Sequence, residues 1–87
     1  MTYETLIERS AQRSLSKITQ PHQDRIIDAI NTLRSNPRPV GAQKLSGREA
    51  WRIRVGDYRV IYEINDEAAR VLVVTLGHRR EIYRFGR

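Results

Sequence analysis

The sequence predicts an α+β fold, a helical hairpin packed on one face of a small antiparallel sheet in the order β-α-α-β-β-β. Three observations carry this expectation. Trp51 to Tyr62, WRIRVGDYRVIY, alternates apolar and polar residues on both sides of a Gly56-Asp57 turn pair, the pattern of a β-hairpin. Val71 to Leu76 is apolar at nearly every position, as in a strand buried on both faces and therefore central in its sheet. Residues 10–35 carry helical spacing instead, broken once at Thr19-Gln20-Pro21. Eighty-seven residues make one domain, 1–87, with one modest core.

The elements follow in order. Thr2 to Ile7 alternates weakly and is read as a first strand. Ser10 is placed to cap a short helix in which Ala11, Leu15 and Ile18 recur at i, i+4 and i+7. Pro21 lies near the first position of a second helix that runs to about Ser35. Ile26, Ile27, Ile30 and Leu33 form its apolar stripe, assigned to packing on the sheet; Asp24, Arg25, Asp28 and Arg34 form the wet side. Asn36-Pro37 ends it. Residues 37–50, with Pro37, Pro39, Gly41 and Gly47, read as a loop. Strands are expected at about 51–55, 58–65 and 70–77, and the tail carries Arg79, Arg80, Arg84 and Arg87 with Tyr83 and Phe85 between them. The chain has no internal repeat, low-complexity segment or linker.

The hairpin sorts its own side chains. A two-residue loop at Gly56-Asp57 pairs Val55 with Tyr58, Arg54 with Arg59, Ile53 with Val60 and Arg52 with Ile61. A strand's period of two then puts Trp51, Ile53, Val55, Tyr58, Val60 and Tyr62 on one face and Arg52, Arg54 and Arg59 on the other. Like charges directly opposite each other destabilise a sheet, so Arg54 facing Arg59 is a local cost that a bound anion would offset.

Composition points the same way. The net charge is +6, and 14 of the 16 basic residues are arginine. Arginine presents a planar fork that grips phosphate at two points and keeps its charge when partly buried. A polyanion partner, nucleic acid first, is expected. A membrane surface fits less well, because the basic residues lie on strands and not along one long amphipathic helix.

Without cysteine there is no disulfide, thiolate nucleophile or cysteine zinc site, and two histidines are too few for a metal cage, so neither metal nor cofactor is expected. The N-terminus lacks the basic and apolar regions of a signal peptide. The longest apolar stretch falls far short of the roughly 18 residues of a membrane span, and a cytoplasmic location is expected. Glycine-rich phosphate loops, HExxH, nucleophile elbows and paired carboxylates on one face are all missing.

Three groups remain as candidates for chemistry. Arg52, Arg54 and Arg59 can hold a phosphodiester and stabilise the charge of its transition state, or can form exposed salt bridges with Glu49, Asp57 or Glu63. Gly77-His78-Arg79-Arg80 leaves the end of the buried strand, where a rigid element holds functional residues. Gly77 permits close approach, and His78 is a candidate for proton transfer or simply caps the strand. Tyr83 can stack on a base or transfer a proton, or can anchor the tail. This kit suits metal-free RNA cleavage by the substrate's own 2′-hydroxyl.

The run from Lys44 to Tyr83, KLSG, then WRIRVGDYRVIYEI, then VLVVTLGHRREIY, resembles the RelE toxins of bacterial type II toxin–antitoxin pairs, within the RelE/ParE superfamily. The helical hairpin and first strand extend the resemblance over essentially the whole chain. It implies a metal-independent endoribonuclease that enters the ribosomal A site, cleaves mRNA there and inhibits translation, and a cognate antitoxin that neutralises it. Carried over position by position, the resemblance implies catalytic roles for Arg54, Arg59, Arg79 and Tyr83. It implies an RNA contact for Arg52; Lys44, Arg48, His78 and Arg80 near it are further RNA-binding candidates. All the arginines of the cluster are expected to converge with Tyr83 in one concave site.

Two departures bear on mechanism. Studied relatives carry lysines where this chain has Arg52 and Arg54, and a guanidinium with a pKa above about 12 is a poor base. The spacing from Arg79 to Tyr83 is shorter than in some relatives. The general base stays open between Tyr83, whose phenolate nearby arginines favour, His78, and another group. Two other functions compete: a ParE-branch toxin that inhibits DNA gyrase, and a non-catalytic basic RNA-binding module. The combination of Arg59, Arg79 and Tyr83 favours the nuclease.

Overall fold

In the computed structural model, residues 2–82 are described. They form β1 (Glu4–Ile7), α1 (Arg9–Ser16), α2 (His22–Thr32), β2 (Gln43–Lys44), β3 (Trp51–Val55), β4 (Tyr58–Asn65), β5 (Arg70–His78) and α3 (Arg79–Ile82). The sheet order is β1-β5-β4-β3-β2. The α+β expectation holds, with two helices on one face of a five-stranded sheet.

The sheet is mixed, not purely antiparallel: β1 runs parallel to β5, with Glu4 opposite Arg70 and Ile7 opposite Val73. Period-two patterning says that a strand pairs, not in which direction; here the chain leaves β1 into the helical layer and returns elsewhere. The Glu8 N–H donates to the Val73 carbonyl at 2.9 Å, so the chain is held to the sheet up to the residue where α1 begins. This explains why Glu8, and not Ser10, takes the cap position, without a side-chain capping bond. The expected loop at 37–50 also contains β2, whose two residues pair with Trp51 and Arg52.

The hairpin register agrees residue for residue with the sequence reading, Arg54 opposite Arg59 included. Gly56 takes φ +61°, the left-handed region that a two-residue hairpin loop demands and glycine tolerates. β5 is interior, between β1 and β4.

The main core lies between sheet and helices. Ala11, Ile26, Ile30 and Leu33 pack against Ile53, Val60, Tyr62, Val71, Val73 and Leu76. Of the expected α2 stripe, Ile27 alone stays exposed. Gln23 ties the helices together, its Nε2 donating to the Leu15 carbonyl at 3.0 Å. The buried Tyr62 hydroxyl donates to the Pro37 carbonyl at 2.7 Å. Next to it, Arg38 lies over the Trp51 ring and bonds Asp66, which also accepts the Tyr3 hydroxyl. This clamp pins the 37–39 segment to the β4–β5 turn. Among the described residues, no helix is long and apolar enough to cross a membrane.

A small second core occupies the other face. Leu45, Ala50, Ile61 and Ile82 are buried together, with Val74 against them. That face is therefore only partly free for the arginines: the 45–50 turn and α3 fold onto its middle.

Candidate functional site

The arginine site is built on the β3–β4 hairpin. Register puts Arg52 beside Ile61, Arg54 beside Arg59, and Arg59 beside Gly77 of β5. The three guanidinium side chains thus share the face away from the two long helices. Arg54 is exposed, and Arg52 and Arg59 are half-buried. The Nε of Arg52 and the Nε of Arg59 are both buried with no hydrogen-bond partner. Burial, followed by the Arg59 and Arg54 charges, pushes the Arg52 guanidinium below its ordinary value. Fixed cations that repel one another, with buried donors left unmatched, are costly in the free protein, and an anion relieves both costs.

Gln43 is the residue the sequence reading missed. Its side-chain oxygen accepts from Nη2 of Arg52 and so orients the fork. It lies in an expected loop, and nothing in its neighbourhood marked β2 beyond the cross-strand position it takes opposite Arg52. A cleft of ≈ 490 Å³ opens here, lined by Ala29, Thr32, Val40, Gln43, Arg52 and Arg54 among others. A wider cleft, ≈ 810 Å³, lies at the opposite end of the sheet. Glu49, Glu63, Asp66 and Glu67 line it beside Arg70, a charge balance that repels a polyanion, so size does not locate the site.

Arg79 opens α3, and its N–H donates to the Asp57 carbonyl of the hairpin turn at 2.8 Å. A Cβ at Gly77 would lie 3.1 Å from Glu81 Oε1 and 3.4 Å from Ile82 Cγ1, so α3 folds directly over the glycine opposite Arg59. The segment carrying Arg79 is therefore on the same face as Arg59. His78 is not. It pairs with Tyr58, and the two rings sit 5.7 Å apart on the helix side, with His22 beyond at 5.5 Å from Tyr58. Its Nδ1 accepts the Arg80 N–H at 3.3 Å. Alternation places His78 on the face away from the arginines.

The remaining candidates are peripheral. Lys44 is exposed and paired with Glu49 at 2.9 Å, which reduces its value to a phosphate. Arg48 is exposed in the 45–50 turn, and Arg80 is exposed on α3. Tyr83 lies outside the described residues.

Comparison with known proteins decides the family. The profile of the family described as the ParE toxin of type II toxin–antitoxin system, parDE, matches residues 6–83. The chain belongs to the RelE/ParE superfamily of type II toxins. The curated toxin RelG of Mycobacterium tuberculosis is 31% identical over 88 residues, covering 97% of this toxin and 99% of RelG. Among solved structures, the archaeal RelE–RelB complex of Pyrococcus horikoshii matches with a TM-score of 0.81 and 29% identity, covering 91% of this chain and 97% of that one. A mutant of E. coli toxin RelE in the free state matches with a TM-score of 0.80 at 22% identity, over 99% of this chain and 95% of that one, a likeness of fold.

Proposed function

We propose that this toxin is a ribosome-dependent mRNA endonuclease, acting in the cytoplasm and neutralised by a cognate antitoxin. The observation that carries the reading is the pair of buried, unmatched Nε donors on Arg52 and Arg59, beside exposed Arg54 on one sheet face. Similarity to RelG and to RelE–RelB structures supports it. In the reaction, the 2′-hydroxyl attacks the adjacent phosphorus in line. Its proton passes to a base, the P–O2′ bond forms as the P–O5′ bond breaks to give a 2′,3′-cyclic phosphate, and the departing 5′ oxygen takes a proton from water. Arg54 and Arg59 neutralise the charge that grows on the non-bridging oxygens, and Arg52 holds the strand. Arg79 supports the leaving oxygen, and Tyr83 is the base. The ribosome supplies the in-line geometry that free RNA lacks.

The test is primer extension on mRNA in programmed ribosomes, with naked mRNA as the control. Codon-positioned cleavage on ribosomes and slow cleavage of naked RNA are expected. Equal, fast, metal-free cleavage of both overturns the ribosome-dependent part. The family description names ParE, which favours one second reading, inhibition of DNA gyrase. Loss of gyrase supercoiling with intact translation would select it.

A further inference from the structure

We propose that the outer face of α1 is a second RNA-binding surface, which takes the phosphate backbone of a folded RNA on the side of the domain opposite Arg52, Arg54 and Arg59. The inference rests on the ribosome reading and adds a separate contact to it. Arg9, Arg13 and Lys17 recur at i, i+4 and i+8, and all three are exposed. Ala11 is buried and Leu15 packs on the main core, so the cations sit on the face turned away from the sheet. Each step of four residues rises about 6 Å, so the three charges form a ridge of about 12 Å with a spacing like that of successive phosphates.

A merely solvated helix would mix its charges, as α2 does with Asp24, Arg25 and Asp28. α1, RSAQRSLS, contains no acid, and none of the ion pairs among the described residues includes the ridge. Like charges at i, i+4 destabilise a helix, so the row is unfavourable until it meets an anion. The chemistry of that anion is set by what the ridge lacks. Protein interfaces have an apolar centre, yet the exposed large apolar residues, Leu6, Ile27 and Val40, all lie off α1. A membrane-surface helix needs a free apolar face, and the core already covers that of α1. A phosphate backbone asks only for spaced cations.

The two basic surfaces lie on opposite layers of a molecule measuring 33 × 27 × 25 Å. A short single strand contacts one layer at a time, whereas a cleft in a folded RNA assembly contacts both. The arrangement thus supplies a physical reason for ribosome dependence.

The experiment compares the full chain with the Arg9→Gln/Arg13→Gln/Lys17→Gln variant. Ribosome binding is measured over a salt series, and cleavage at saturating ribosomes is measured separately. The variant should bind ribosomes roughly 10- to 100-fold more weakly near 0.1 M salt, with the slope of log K against log salt reduced by about 2. Affinity for a short mRNA-like oligonucleotide should not change, and the cleavage plateau should be kept. Arg9→Lys/Arg13→Lys should bind like the parent, and circular dichroism checks folding in both. Parental ribosome affinity and slope in the triple variant overturn the proposal. So does lost antitoxin affinity with ribosome affinity intact, which would make the ridge a protein-docking surface. A parent that binds ribosomes through the ridge but cuts no mRNA fails the nuclease reading and supports this one.

Discussion

Arg54 of β3 lies directly opposite Arg59 of β4, two cations facing each other across the hairpin where a sheet ordinarily places opposite charges. On the proposed nuclease reading, stability and function are opposed at this pair. Arg54→Gln and Arg59→Gln should each stabilise the free protein by about 0.2–1 kcal/mol in urea unfolding. Each should also lower single-turnover cleavage on ribosomes by roughly 10²-fold. A variant that loses stability and activity together would show that the arginines hold the fold instead.

The general base can be decided by two substitutions. Tyr83→Phe should reduce the chemical rate on programmed ribosomes strongly, with ribosome affinity little changed. His78→Gln should cleave near the parental rate, because its ring faces Tyr58 on the helix side. A dead His78 variant, or two fully active variants, would reject Tyr83.

Gly77 is the contact point between β5 and α3. Gly77→Ala forces Glu81 to move, and the Glu81 carboxylate accepts the His78 N–H at 3.1 Å. The substitution should cost about 1 kcal/mol, the worth of one hydrogen bond, and should slow cleavage by shifting Arg79. In a Glu81→Ala background the same change should cost less, which a double-mutant cycle reads directly.

The pH limits of stability follow from the clamp at Tyr62 and Asp66. Burial raises the Tyr62 phenol from 10.0 to about 12. Its contribution is complete below pH 10 and is lost as pH rises toward 12, where the unfolded chain ionises first; the loss is on the order of 2–3 kcal/mol. Tyr62→Phe should flatten that alkaline limb in pH-dependent melts. At the acid end, hydrogen bonds from Arg38 and then Tyr3 hold Asp66 below its ordinary 3.8. Its contribution is present above that value and is lost as pH falls below it, so Asp66→Asn should flatten the acid limb.

The hairpin was legible in the sequence because its determinants are local. A Gly-Asp turn sets the register, and a period of two then sends Arg52, Arg54 and Arg59 to one face. The buried β5 and the α2 stripe were legible for the same reason. Gln43 was not, since a two-residue strand has no periodicity to read. His78 is next to Arg79 in sequence yet lies on the other face, because alternation along β5 turns it toward Tyr58.

Local patterning thus determined the longer elements, the hairpin register and the three-arginine face. Tertiary structure decided how the rest of the chain meets that face. β5 carries a register shift against Ile61/Tyr62, with Ile61 opposite Thr75 and Tyr62 opposite Val73. One extra residue at Val74 reverses the phase of alternation. Val71 and Val73 face the helices before it, Leu76 and His78 after it, and Gly77 comes to lie opposite Arg59. An apolar run reads alike in either phase, so only pairing with β4 could choose. That choice let α3 fold over Gly77 and brought the Arg79 segment to the arginine face.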